Sequence, residues 1–221
     1  MKRYAVYYAP RDGAFAARAA NWLGRDATRG AVPHPDLPGI DAAAITTEPR
    51  RYGFHGTLRA PFRPADGLTQ GDIMQALSAV AAALAPVTCT RLRLEILHGF
   101  LALTPEGQDG DVQALGAAVV RASNPWRAPL TEAEVARRRP ETLTPEQRGY
   151  LAKWGYPFVM EEFRFHLTLT NRLAHPEAVA PAVLAYFAPA LPCPFVIEDL
   201  CLFGEDADGV FHLLHRYALT G

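Results

Sequence analysis

Short runs of alternating apolar and polar residues recur along the chain between segments of helical spacing. Arg3 to Ala9 (RYAVYYA) is rich in aromatic and β-branched residues and stops at Pro-Arg-Asp-Gly, which predicts a strand closed by a turn. From Asp12 onward Phe15, Ala19, Trp22 and Leu23 share one face, predicting a helix over 12–23 with Asp12 as its N-cap. Residues 24–53 scatter Gly and Pro without periodicity, so they read as a long loop with one short helical turn. Loops that long inside a compact domain usually serve a function. Phe54 to Phe62 (FHGTLRAPF) reads as a strand and Thr69 to Leu84 as an Ala-rich helix. Thr90 to Leu97 and Gly99 to Leu103 read as a hairpin turning near His98-Gly99, and Asp111 to Arg121 as a short helix.

The composition shifts between Ser123 and Glu162. Arg137 to Arg139 form a basic run, Pro140 and Pro145 interrupt it, and Leu143 to Lys153 have helical character, so 123–162 is expected to be an insert or lid. Beyond it, Phe163 to Thr170 (FRFHLTLT) alternates strictly and predicts a strand, and Pro176 to Phe187 a helix. Phe195 to Phe203 and Val210 to Leu219 are expected to close the chain as paired strands. The whole, 1–221, is expected to be one α+β domain. Each half carries one strand containing His-x-Thr, which suggests two similar lobes.

Composition narrows the function classes. Lys+Arg number 22 against 23 Asp+Glu, a formal net charge of −1, which argues against coating duplex DNA but leaves room for a local basic cleft. The three cysteines have no C-x-x-C spacing, so neither a zinc site nor a disulfide framework is indicated, and buried thiols in a reducing compartment are expected. The apolar run after Met1-Lys2-Arg3 ends at Pro10, too short for a signal-peptide core, and no stretch has the length of a membrane helix. A cytoplasmic protein that does not engage membranes is the expectation.

The chemistry lies in two strands. Side chains alternate faces along a strand, so His55 and Thr57 point one way while Phe54, Gly56 and Leu58 point the other; His166 and Thr168 do the same against Phe165, Leu167 and Leu169. A phosphodiester needs a base for the attacking oxygen, an acid for the leaving oxygen, and donors for its charged oxygens. Two imidazoles and two hydroxyls supply that set without a metal or other cofactor. One His-x-Thr triplet is weak evidence by itself; two that share the longer form Phe-His-x-Thr-Leu are much harder to assign to chance.

The pair Phe54-His55-Gly56-Thr57-Leu58 and Phe165-His166-Leu167-Thr168-Leu169 resembles the signature of the 2H phosphoesterase superfamily. The flanks Arg51-Tyr52-Gly53, Arg59-Ala60-Pro61-Phe62 and Trp154-Gly155-Tyr156-Pro157 resemble its DUF1045-like bacterial branch, associated with phosphonate-utilisation genes. The resemblance implies a bilobal fold, two α/β lobes with antiparallel sheets related by a pseudo-twofold around a central cleft. It also implies hydrolysis of a small cyclic phosphodiester or 2′-linked nucleotide or sugar phosphoester. Carried over, His55 and His166 form the acid/base pair and Thr57 and Thr168 bind phosphate oxygens. Which histidine is the base is left open at this level. The 123–162 segment, absent from RNA-processing members, points to a small phosphorylated sugar or nucleotide rather than to RNA.

Secondary candidates flank the motifs. Arg59, two residues beyond Thr57 and on the same strand face, is a candidate to neutralise phosphate, and Arg172 and Arg164 are weaker cases. Tyr52 and Tyr156 are candidates to stack on a base or sugar. The arginine run 137–139 is either a solvated helix face or part of the lid. His34, His98, His175, His212 and His215 are expected outside the site. Three rivals use the same cleft: a module that binds a nucleotide or RNA end, a 2′-5′ ligase-like activity, and a metal-dependent hydrolase enlisting Glu95. A monomer is expected.

Overall fold

The strand that opens the chain, β1 (Tyr4–Tyr8), ends up near the middle of a sheet in a computed structural model that describes residues 1–107 and 109–221. It is followed by α1 (Ala14–Leu23), a small ladder of β2 (Arg25–Asp26) and β3 (Gly30–Ala31), and the one-turn helices α2 (Ala42–Ile45) and α3 (Thr47–Arg50). The first motif leads into β4 (Gly56–Phe62), then α4 (Gln70–Ala82), β5 (Val87–Cys89) and the hairpin of β6 (Arg91–Leu97) and β7 (Phe100–Glu106). α5 (Asp109–Ser123), α6 (Glu132–Ala136) and α7 (Pro145–Trp154) precede β8 (Leu167–Thr168). α8 (Pro176–Phe187), β9 (Phe195–Ile197), β10 (Asp199–Glu205) and β11 (Phe211–Ala218) complete the chain.

Seven strands form one sheet in the order β11-β10-β1-β4-β8-β7-β6, antiparallel throughout. The lobes are therefore not the two halves of the sequence. β1, β4, β10 and β11, from both ends of the chain, make one, and β6, β7 and β8, from its middle, make the other. They join along the β4–β8 pair, so the α+β class and antiparallel pairing hold while the two sheets merge into one.

Helices line one sheet face because their apolar stripes match the inward residues of the strands. Trp22 and Leu23 of α1, Leu77 of α4, Val119 of α5 and Phe187 of α8 are buried with Val6, Leu58, Leu101, Leu167 and Leu202 of the sheet. Trp22 also donates its indole N–H to the Leu169 carbonyl (2.7 Å), pinning α1 to the last residue of the second motif. The opposite face carries a smaller cluster of Tyr7, Cys201, Phe203 and Phe211, with Tyr52 against it.

Four local expectations are revised. Gly13 rather than Asp12 holds the N-cap position of α1, and the Asp12 carboxylate faces Arg29 at 3.4 Å. Thr69, expected as the first residue of a helix, caps α4 in a reciprocal box with Asp72. The loop 24–53 is more ordered than its composition suggests, because Arg50 donates to the carbonyls of Leu23 (2.7 Å) and Ala43 (2.6 Å), knitting it to α1. The strand expected over 163–170 shrinks to Leu167–Thr168: the amides of Leu169 and Thr170 both donate to the Leu101 carbonyl (2.9 and 3.3 Å), which ends the regular ladder.

Candidate active site

The two motifs meet where the lobes join. Gly56 on β4 and Leu167 on β8 are antiparallel partners, which sets His55 opposite Thr168 and Thr57 opposite His166. A local twofold through that pair thus relates one His-x-Thr to the other. The alternating faces match the sequence expectation: Phe54, Leu58, Phe165, Leu167 and Leu169 are buried in the helix-side core, while both histidines and Thr57 and Thr168 are half-buried. Gly56 is required by close approach, since a Cβ there would overlap the Phe165 ring that passes beneath it. Both motifs depend on that packing, because Phe165 immediately precedes His166.

Each imidazole is held by its own backbone in the same way. Nδ1 of His55 lies 2.8 Å from the Gly53 carbonyl, and Nδ1 of His166 lies 2.8 Å from the Arg164 carbonyl. A carbonyl can only accept, so Nδ1 carries the hydrogen in both rings, and Nε2 is the atom left for chemistry. His55 is further enclosed by Tyr7, stacked at 4.0 Å between ring centroids, and by Tyr52 at 5.7 Å; His166 has Phe100 at 5.7 Å. Burial pushes His55 down to about 4, against the raising effect of the Gly53 carbonyl, with a smaller push from His166. His166 is lowered as well, chiefly by burial and slightly by His98.

A cavity of about 350 Å³ opens beside this pair. His55, Thr57 and Thr168 line it, as do the expected Tyr52, Tyr156 and Arg172. Its walls do not include His166, which sits beside Thr57 across the β4–β8 pair. Arg59 is placed differently from the expectation. The β1–β4 register slips between Val6 and Tyr7 and again between Tyr4 and Val6, so strict alternation does not continue past Thr57. Arg59 is buried in a neighbouring cavity of about 400 Å³, donating through Nη1 to the Trp154 carbonyl (2.9 Å).

Sequence reasoning missed Tyr7, which lies opposite Thr57 and stacks on His55. The signal was there in the small-large-small run Ala5-Tyr7-Ala9 on one face of β1, but nothing in the sequence said that this face bordered the motif. Arg138 was weighed only as part of a run. It separates from its exposed neighbours Arg137 and Arg139, sits 4.8 Å over the Tyr156 ring and lines the histidine cavity.

The remaining candidates lie elsewhere. Glu95 bonds the Thr104 hydroxyl (2.8 Å) and Arg93 (2.7 Å) beside a different cavity, which Arg164 also lines, so neither side chain joins the histidines. His34 contacts the Trp22 carbonyl, His175 pairs with Glu177 and His212 with Asp206. Among the described residues no cluster of His, Cys, Asp and Glu has the makings of a metal site, and no helix is long and apolar enough to cross a membrane.

The family model described as "Protein of unknown function (DUF1045)" matches residues 57–212, most of the chain, with the whole of the second motif and Thr57-Leu58 of the first. The chain belongs to the DUF1045 family. Two curated relatives carry the name "Ribose 1,5-bisphosphate phosphokinase PhnN". That of Janthinobacterium sp. (strain Marseille) is 36% identical over 220 residues, covering 95% of this chain and 49% of the relative. That of Laribacter hongkongensis (strain HLHK9) is 35% identical over 228 residues, covering 97% and 51%. This DUF1045 chain therefore spans about half the length of the curated relatives it matches. Among solved structures, E. coli LigT complexed with ATP aligns over 100% of this chain and 98% of that one, at TM-score 0.46 and 14% identity. The apo form of LigT aligns over the same shares at TM-score 0.45 and 16% identity.

Proposed function

We propose that this DUF1045 protein is a metal-independent phosphoesterase that opens a small cyclic phosphodiester on a sugar or nucleotide by paired-histidine acid/base catalysis. The observation that carries the reading is the symmetric arrangement of two imidazoles. Each is locked through Nδ1 to the carbonyl two residues back, which leaves Nε2 for chemistry, and each histidine lies opposite a threonine of the other motif in the strand register. The more strongly depressed His55 keeps Nε2 unprotonated and serves as base. It takes a proton from water as the water oxygen bonds to phosphorus. His166, in its protonated form, gives its Nε2 proton to the ester oxygen that departs, leaving a phosphomonoester. The hydroxyls of Thr57 and Thr168 donate to the non-bridging oxygens where charge builds.

Residues 123–162 serve in this reading as the cover of the cavity, supplying Arg138 and Tyr156 to its wall. The setting fits as well. The curated relatives are named for a kinase of ribose 1,5-bisphosphate, and the resemblance noted in the motifs and their flanks is to a branch associated with phosphonate metabolism, so a phosphorylated pentose is the favoured substrate class.

The test is product formation from 2′,3′-cyclic nucleotides, ribose 1,2-cyclic phosphates and 2′-5′ dinucleotides with EDTA present, for wild type, His55→Ala and His166→Ala. Turnover resistant to the chelator and reduced at least about a hundredfold in both variants is expected. Wild-type rates in either variant would remove that histidine from the mechanism. The active form carries one proton on the pair, so kcat/KM should peak below pH 6.5 and fall about tenfold per pH unit on the alkaline side. A maximum above pH 8 would contradict the assignment.

A further inference from the structure

Next to the histidine cavity lies the second cavity of about 400 Å³, and its wall is built from arginine: Arg3, Arg51, Arg59, Arg63, Arg127, Arg137 and Arg138 all line it. Two of the seven are neutralised, Arg3 by Glu205 (2.6 Å) and Arg63 by Glu134 (3.0 Å). Among the described residues the other five make no ion pair, although Glu205 also feels Arg51. Arg59 is the telling one. It is only 2% exposed, and its Nε is a buried donor with no hydrogen-bond partner. An unpaired buried guanidinium is costly unless an anion completes it. Burial and repulsion from Arg127 together push Arg59 down to about 10, the signature of a positive charge waiting for a counter-charge.

The local structure spends its available acceptors on aiming these groups. The carbonyls at the end of α7 receive Arg59 Nη1 at Trp154 (2.9 Å) and Arg127 Nη2 at Lys153 (3.0 Å). Gly155, in the left-handed region at φ 76°, lets the Arg127 side chain lie against the backbone. Those carbonyls orient the forks without neutralising them, and their remaining N–H groups suit the oxygens of a phosphate.

The two cavities are neighbours, sharing Arg3, Tyr52, Arg138 and Tyr156 in their walls. Thr57 and Arg59 are two residues apart on β4, about 7 Å at strand rise. The shared walls put both cavities within reach of a single small substrate.

We infer that the arginine cavity is a subsite for a second phosphate on the same substrate, so that the preferred substrate is a cyclic phosphodiester of a pentose bearing a further phosphomonoester. This inference rests on the phosphoesterase reading of the histidine cleft and narrows it. Recognition of the second phosphate belongs to Arg59 and Arg127, with Arg51 and Arg138 at the approach.

Two measurements test it separately from catalysis. Calorimetric binding of ribose 5-phosphate and ribose 1,5-bisphosphate to the whole chain should show the bisphosphate bound at least about tenfold more tightly, a ratio that shrinks as salt is raised. Arg127→Met and Arg59→Gln are expected to bring the ratio toward one. Because Arg59→Gln disturbs a buried site, Arg127→Met and Arg51→Ala are the variants that decide if it does not fold. Equal affinity for the two ligands in the wild type overturns the inference, whether or not the protein turns anything over. In the kinetic arm, adenosine 2′,3′-cyclic phosphate is compared with its 5′-phosphorylated form. A kcat/KM about tenfold or more higher for the latter supports the subsite, and no turnover of either, with the binding preference intact, would count against the hydrolase reading alone. A short RNA ending in a cyclic phosphate that outcompetes the phosphorylated mononucleotide would also overturn the inference, since the subsite would then be part of a polymer track.

Discussion

At the level of single residues, the site works by removing alternatives. Tying Nδ1 of both histidines to backbone carbonyls leaves one tautomer and one useful nitrogen each, and burial keeps His55 neutral. That neutrality has a consequence for stability. The folded-state value for His55, about 4, lies below the unfolded value of about 6.5. Unfolded chains therefore bind a proton that folded chains refuse between those values, and stability falls as pH drops from 6.5 toward 4. His55→Gln should flatten this limb of a Tm-against-pH curve by an amount equivalent to about 1–3 kcal/mol, allowing for the water the cavity admits. An unchanged limb would mean that His55 is not held neutral. Gly56→Ala tests the packing beneath. The added methyl meets the Phe165 ring, so a loss of about 1–3 kcal/mol in denaturant unfolding is expected, together with loss of activity through displaced His166. Full activity in that variant would show that the two motifs do not share this support.

At the level of elements, neighbouring pieces position the motifs more than strand propensity does. Asn171, just past the second motif, accepts from the Glu48 amide (2.8 Å) and donates to the Ala44 carbonyl (3.1 Å) and the Thr47 hydroxyl (2.8 Å). These bonds tie α2 and α3, and with them Pro49 and Tyr52 of the cavity wall, to the segment that carries His166. Asn171→Ala should cost about 1–2 kcal/mol and raise amide hydrogen exchange across 42–53 before the rest of the chain. Uniform exchange would argue against local anchoring. The helix expected over 69–84 was legible from its Ala-rich composition, whereas the Thr69–Asp72 capping box that starts it came from the structure. The knitting of 24–53 was not, because Arg50 and Asn171 act over sequence distances that no local pattern reports.

For the whole molecule, the segment 123–162, proposed above as the cover of the cavity, is fastened to the rest of the fold. Arg63 on the strand side reaches Glu134 of α6 through two hydrogen bonds (3.0 and 3.1 Å) and the Pro129 carbonyl, and this contact draws the Glu134 carboxyl down to about 2. Its contribution is present above the ordinary carboxylate range and is lost as pH falls toward 2, and the part-exposed Arg63 limits it to about 1 kcal/mol or less. Glu134→Gln should accordingly speed proteolysis within 123–162 at pH 7 while leaving the melting temperature within a few degrees of wild type. Cleavage no faster than wild type would show that the Arg63–Glu134 contact does not fasten the cover.

What the sequence determined by itself was the periodic part of the local structure. The strands and helices came from alternation and helical spacing, the reach of each His-x-Thr from the two-residue strand repeat, and the burial of the paired Phe and Leu from the same parity. The tertiary structure alone decided which strands became neighbours. Parity along β4 says where Thr57 points, but only the register slips against β1 send Arg59 into the second cavity. Likewise, only the antiparallel pairing of Gly56 with Leu167 turns two distant motifs into one site. Side-chain direction follows from bonds between adjacent residues, whereas register and lobe contact are set by burial and hydrogen bonding among segments about fifty to more than a hundred residues apart.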